Sequence, residues 1–112
     1  MAEKEKREVT VSAQFTEDLK SVYEYGEEVF GAAAAKSFVS EVFSKIWSLD
    51  QTWGHHPECR HLPTKDQRYR NIILGSYLVI YRVKIDRILV LRILHGHSSI
   101  TKIKESRKIK KE

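Results

Sequence analysis

A single cysteine, Cys59, stands among the 112 residues, so no internal disulfide can form and the chain suits a reducing compartment. No apolar run approaches the roughly 18 residues that a membrane span needs. The mixed-charge segment of residues 1–8 has no apolar stretch behind it to make a secretory signal. These absences lead us to expect a cytoplasmic protein with no membrane partner and with residues 1–8 disordered. Internal repeats and low-complexity regions are missing too. Hydrophobic periodicity lapses across residues 50–67, where Gly54, Pro57 and Pro63 punctuate a polar stretch that reads as a loop.

What is present suffices for one core. A hydrophobic content of 41% with Trp, Tyr and Phe excludes a disordered chain, and the length fits one domain. We place that domain at residues 9–104, followed by a basic tail at 105–112. The net charge of +5 is unevenly distributed, with −4 in residues 1–53 and +9 in residues 54–112. A basic half of this kind points to a phosphate-rich or acidic partner, or to a solvated face with extra lysines.

Val9, Val11 and Ala13 alternate with Thr10 and Ser12, as in a short strand with one buried face. Thr16 followed by Glu17 and Asp18 supplies a helix cap and two acids for the first turn. Leu19, Val22, Tyr23, Gly26, Val29 and Phe30 then form one stripe, Gly31 breaks it, and Ala35, Phe38, Val39, Val42, Ile46 and Leu49 form a second. The pattern predicts a helical hairpin. Residues 68–74, 77–85 and 87–95 are rich in β-branched and aromatic side chains and are separated by tight turns. They predict a three-stranded antiparallel meander, making an α+β fold.

Strand alternation sorts these residues by face. Tyr77, Val79, Tyr81 and Val83 are assigned to the helices, with Leu89, Leu91 and Ile93. The opposite face then carries Leu78, Ile80, Arg82, Val90, Arg92, Leu94, Arg70, Ile72 and Leu74, three arginines among aliphatics. Two helices cover one side only, so this mixed face is expected to need a separate binder. After His95 and His97, the lysine-rich segment with Ile100, Ile103 and Ile109 either folds over the sheet edge or stays mobile.

The run Arg68-Tyr69-Arg70-Asn71-Ile72-Ile73-Leu74-Gly75-Ser76-Tyr77-Leu78-Val79-Ile80-Tyr81-Arg82-Val83, followed by Ile88-Leu89-Val90-Leu91-Arg92-Ile93-Leu94-His95, resembles the sheet signature of the RelE/ParE superfamily of toxins. The preceding strand, helical hairpin and Pro-containing loop extend the resemblance over roughly residues 9–104. It implies the toxin of a type II toxin–antitoxin system, neutralised by a cognate antitoxin protein that covers exposed apolar and basic surface. RelE-like members cut mRNA on the ribosome, whereas ParE-like members poison DNA gyrase. The arginine just after the last strand and the C-terminal tyrosine of RelE-like enzymes have no counterpart here, since residues 96–100 hold no arginine and no tyrosine follows Tyr81.

RNA cleavage requires an activated 2′-hydroxyl, a stabilised phosphate and a protonated leaving oxygen. Arg70, Arg92, His95 and His97 form the candidate catalytic set, although His95 alternatively caps the core, and Glu58 or Asp66 is a candidate carboxylate. Lys65, Arg68, Arg82, Lys102 and Lys104 are candidate nucleic-acid contacts, and Ile72, Leu78, Ile80 and Arg82 candidate antitoxin contacts. Adjacent His55 and His56 followed by Pro57 suit a metal tetrahedron poorly, so neither metal nor cofactor is expected. The primary expectation is a ribosome-associated endoribonuclease. A gyrase poison without chemistry of its own and a degenerate, non-toxic binding module are the alternatives.

Overall fold

Strand β1, Glu8–Val11, runs into Ser12, whose hydroxyl accepts the Phe15 backbone N–H at 2.9 Å and donates to the Leu91 carbonyl at 2.6 Å. One side chain therefore caps helix α1, Ala13–Phe30, and ties its start to the sheet. Thr16, the cap expected from sequence, lies inside the helix with its hydroxyl turned back to the Ser12 carbonyl at 3.4 Å. The helix starts a turn early because Ser12 already satisfies an orphan N–H. The computed structural model describes residues 7–110. Of the segment expected to be disordered, residues 1–6 fall outside that range and Glu8 is already in β1; residues 111 and 112 of the tail also fall outside it.

Gly31 separates α1 from helix α2, Ala32–Trp47, with a φ of 94° that side-chain-bearing residues rarely adopt. A short helix α3, Leu49–Thr52, and a 3₁₀ turn, Trp53–His55, occupy part of the stretch expected to be loop. They form because Leu49 is fully buried and anchors the chain there. Strands β2, Tyr69–Leu74, β3, Tyr77–Val83, and β4, Arg87–His95, make the predicted antiparallel meander, and β1 adds to β4 in parallel to give the order β1-β4-β3-β2. Helix α4, Ile100–Glu105, and a 3₁₀ turn, Ser106–Lys108, follow the sheet.

The expected division of faces fails in two strands. Gly75, at φ 58°, allows a two-residue turn that pairs Leu74 directly with Tyr77, and so Ile72 with Val79 and Arg70 with Tyr81. Paired residues share a face, so Ile72 and Leu74 join the helix-side core instead of the mixed face. In β4 the register shifts: Ile80 pairs with Arg92 but Tyr81 with Val90, leaving Leu91 as the extra residue of a β-bulge. The bulge inverts the alternation, turning Ile88 and Val90 to the helices and Leu89 and Leu91 away from them.

The sheet is consequently the middle layer of three. Phe15, Leu19, Val42, Ile46 and Leu49 pack on one face against Ile72, Val79, Tyr81, Val90 and Ile93. On the far face, Cys59 and Leu62 from the loop and Ile103 from α4 cover Ile80, Leu89, Leu91 and Leu94, with Tyr69 and Ile109 at the margin. The chain's own tail thus supplies much of the cover that was expected from a separate binder.

Candidate functional site

The three arginines expected to share one face are dispersed. Arg92, at the bulge, makes a two-pronged ion pair with Asp18 of α1, Nε to Oδ2 at 2.9 Å and Nη2 to Oδ1 at 2.8 Å, and the Ile93 N–H donates to the same carboxylate at 3.2 Å. The hydrogen-bonded carboxylate pushes the guanidinium pKa above its ordinary value. Asp18 thereby holds both the arginine and the backbone that the bulge displaces. Arg82 is 7% exposed on the far face; it stacks 5.7 Å from the Tyr69 ring and donates to the Ile109 carbonyl at 2.6 Å and the Arg107 carbonyl at 3.4 Å. Its guanidinium fastens the tail.

Arg70 lies on the helix-side parity. It donates to the His56 carbonyl at 2.8 Å and to Gln67 Oε1 at 3.3 Å, and its guanidinium stands 5.8 Å from the Trp53 ring, which Arg7 also approaches at 4.5 Å. Partial burial, followed by the charges of Lys45, His55 and Arg70, holds the His56 pKa below its ordinary value. Tyr81 donates its hydroxyl to the Trp53 carbonyl at 2.6 Å, and burial raises its pKa. This cluster of cations around Trp53 went unread in the sequence because Arg7 precedes β1 and Trp53 comes from the 3₁₀ turn.

His95 and His97 mark the other end of the sheet. His95 stands edge-on to Tyr77 at 5.4 Å, lies 5.1 Å from the His97 ring, and accepts the His97 backbone N–H on Nδ1 at 3.1 Å. With Nδ1 accepting, a neutral His95 ring carries its proton on Nε2. His95 is exposed, so it does not cap the core. Along β3, Tyr77 beside His95 and Tyr81 beside Arg70 are four residues apart, about 13 Å at the rise of a strand. Arg70 and His95 of the expected catalytic set are therefore placed toward different ends of β3.

Of the expected nucleic-acid contacts, Lys65, Lys102 and Lys104 are exposed, and Arg68 is exposed in an ion pair with Asp66 at 3.1 Å. Arg82 is committed to the tail. The expected antitoxin surface does not exist as one face: Ile72 is buried under the helices, Ile80 under the tail, and Leu78 is half-buried. Exposed apolar surface lies instead at the tip of the hairpin, where Tyr25, Val29 and Phe30 are 56%, 49% and 70% exposed beside a groove of about 150 Å³ reaching Phe38 and Tyr77. Tyr25, three residues after Val22 and four before Val29, extends the same apolar stripe, a signal in the sequence that α1 offers a wide apolar surface there. Burial pushes the Cys59 thiol pKa up, away from nucleophilic use. No helix among the described residues is long and apolar enough to cross a membrane.

A strand, a helical hairpin and an antiparallel meander closed by a C-terminal helix define a RelE/ParE-type toxin fold. The structure is similar to one described as the chromosomal ParDE toxin–antitoxin system from P. aeruginosa, with a TM-score of 0.65 and 20% identity over 80% of this chain and 95% of that one. No curated protein sequence matches the chain. The family described as the ParE toxin of the type II toxin–antitoxin system parDE matches residues 9–100. The chain belongs to that family of toxins.

Proposed function

We propose that this toxin arrests growth by engaging DNA gyrase and does not itself cut mRNA. Toxins of the ParE kind poison gyrase. The observation that carries the reading is the dispersal of the groups a nuclease would need. Arg92 is engaged by Asp18, Arg82 by tail carbonyls and Arg70 by the His56 carbonyl, while His95 and His97 lie at the end of the sheet away from Arg70 and Arg82. Such a surface suits binding better than acid–base chemistry, which needs its groups within hydrogen-bond reach of one substrate. The cognate antitoxin is best placed on the hairpin tip, because Tyr25, Val29 and Phe30 offer the apolar anchors that protein interfaces use.

The test is to incubate the purified chain with gyrase and supercoiled plasmid, then to treat with detergent and protease. Linear plasmid from trapped cleavage complexes is the expected product, with no new mRNA ends by primer extension in induced cells. New cuts within codons together with unaffected gyrase restore the nuclease reading. Unimpaired growth on expression without the antitoxin leaves only a binding module.

A further inference from the structure

Between the loop of residues 57–62 and helix α4, the far face of the sheet stays open as a cleft of about 320 Å³, a size typical of small-ligand sites. Asn71, Ile73 and Leu78 line it from the sheet, Ile103 from α4, and Arg60 and His61 from the loop. Asn71 is the anomaly. It is 7% exposed and pairs across the strand with buried Ile80, yet its carboxamide has no hydrogen-bond partner among the described residues. The amide is not among the polar atoms sealed from solvent, so it opens onto the cleft. Packing alone favours Leu or Val at a position this buried, and a carboxamide that opens onto the cleft is placed to meet a ligand there. Arg60 likewise has no carboxylate partner among the described residues, and Glu58, the acid at the cleft, accepts the Thr64 N–H at 3.0 Å.

We propose that this cleft binds a nucleotide, with the base lying against Ile73 and Leu78, its edge read by the Asn71 carboxamide and its phosphate held by Arg60. A carboxamide presents a donor and an acceptor side by side, the pattern that pairs with a base edge such as that of adenine. Arginine suits phosphate through its planar fork, and exposed Lys102 and Lys104 on α4 add positive field. An extended peptide is a poorer fit because it needs the β2 edge. That edge is already occupied, with Asn71 N–H donating to the Pro57 carbonyl at 3.0 Å and Cys59 N–H to the Tyr69 carbonyl at 2.8 Å. The cleft lies away from the hairpin tip, and the proposal stands whether or not gyrase is the target.

Isothermal calorimetry on the full chain, using the four nucleoside monophosphates, their nucleosides, inorganic phosphate and a short single-stranded oligonucleotide, tests it. At least one monophosphate is expected to bind saturably and more tightly than phosphate alone. Asn71→Leu weakens that binding by roughly fivefold or more and leaves phosphate binding unchanged. Arg60→Gln weakens the monophosphate more than its nucleoside. An oligonucleotide that binds more tightly than the monophosphate assigns the cleft to a strand; equal or weaker binding assigns it to the free nucleotide. If thermal melting shows N71L to be unfolded, the near-isosteric Asn71→Asp, which removes the donor and adds a negative charge, is expected to weaken binding of the uncharged nucleoside too, which repulsion of the phosphate alone would spare. Absence of saturable monophosphate binding, or binding unchanged in a folded Asn71 variant, overturns the assignment.

Discussion

The two faces of the sheet are closed by different means. Two helices of 18 and 16 residues press Phe15, Leu19, Val42 and Ile46 onto the first. The second is closed by a loop, a six-residue helix and a 3₁₀ turn, and it buries Arg82, Asn71 and Ser106 among its aliphatics. Apolar burial contributes about 1.5–3 kcal/mol per large side chain, so the helix face, with the larger buried cluster, contributes more to stability. The far face keeps polar groups that apolar residues would outperform in stability, including an unpartnered Arg82 Nε and Ser106 hydroxyl. The larger apolar core thus lies on one side of the sheet and most of the buried polar groups on the other.

The contrast is broken most severely by Phe15→Ala, expected to lower unfolding free energy by about 3–5 kcal/mol in denaturant titration, since Phe15 is fully buried between helix and sheet. Next in size is Asp18→Asn, which removes the charge that pairs with Arg92 and leaves one acceptor oxygen to serve the guanidinium and the Ile93 N–H. A loss of about 3 kcal/mol is expected, largely recovered by a compensating Arg92→Met. Ser12→Ala, which removes the cap that joins α1 to β4, is expected to cost about 1 kcal/mol. On the far face, Arg82→Met should act locally: amide exchange across residues 100–110 quickens while the helix-side core keeps its protection. Equal loosening of both faces would dissolve the distinction.

The smallest effect is a pH dependence at the sheet's loop end. Because the folded His56 pKa lies below its ordinary value of 6.5, the unfolded chain binds the proton more readily. Stability from this group is full above about pH 6.5 and falls as pH drops from there toward the lowered folded value. Denaturation midpoints measured across that window should flatten in a His56→Gln variant relative to the parent chain.

Much of the fold was legible because it depends on local pattern. The stripes of α1 and α2, the Gly31 break and the three strands are repeats that neighbouring residues alone determine. The β2 assignment went astray although the sequence held the answer: a two-residue Gly75-Ser76 turn pairs Leu74 with Tyr77 and puts Arg70 with Tyr81. The bulge at Leu91 was not legible, because it is stabilised by Asp18, 73 positions earlier in the chain, through the Arg92 pair and the Ile93 N–H. Folding of the tail onto Arg82 rests on backbone carbonyls, which carry no sequence signature. The arginine site expected from strand alternation therefore separated into three structural contacts. The cleft around Asn71 became visible only when residues 57–61 and Ile103 were brought to the same face.

The most direct measurement of the central claim, that this toxin binds its target instead of cutting RNA, uses the chain with His95→Ala and His97→Ala combined. Both side chains are exposed and lie outside the hydrophobic core. In cells induced without antitoxin, growth arrest and gyrase-linked plasmid cleavage are expected at the level of the unaltered chain. Loss of arrest in the folded double variant, accompanied by disappearance of mRNA cuts that the unaltered chain produces, contradicts the account.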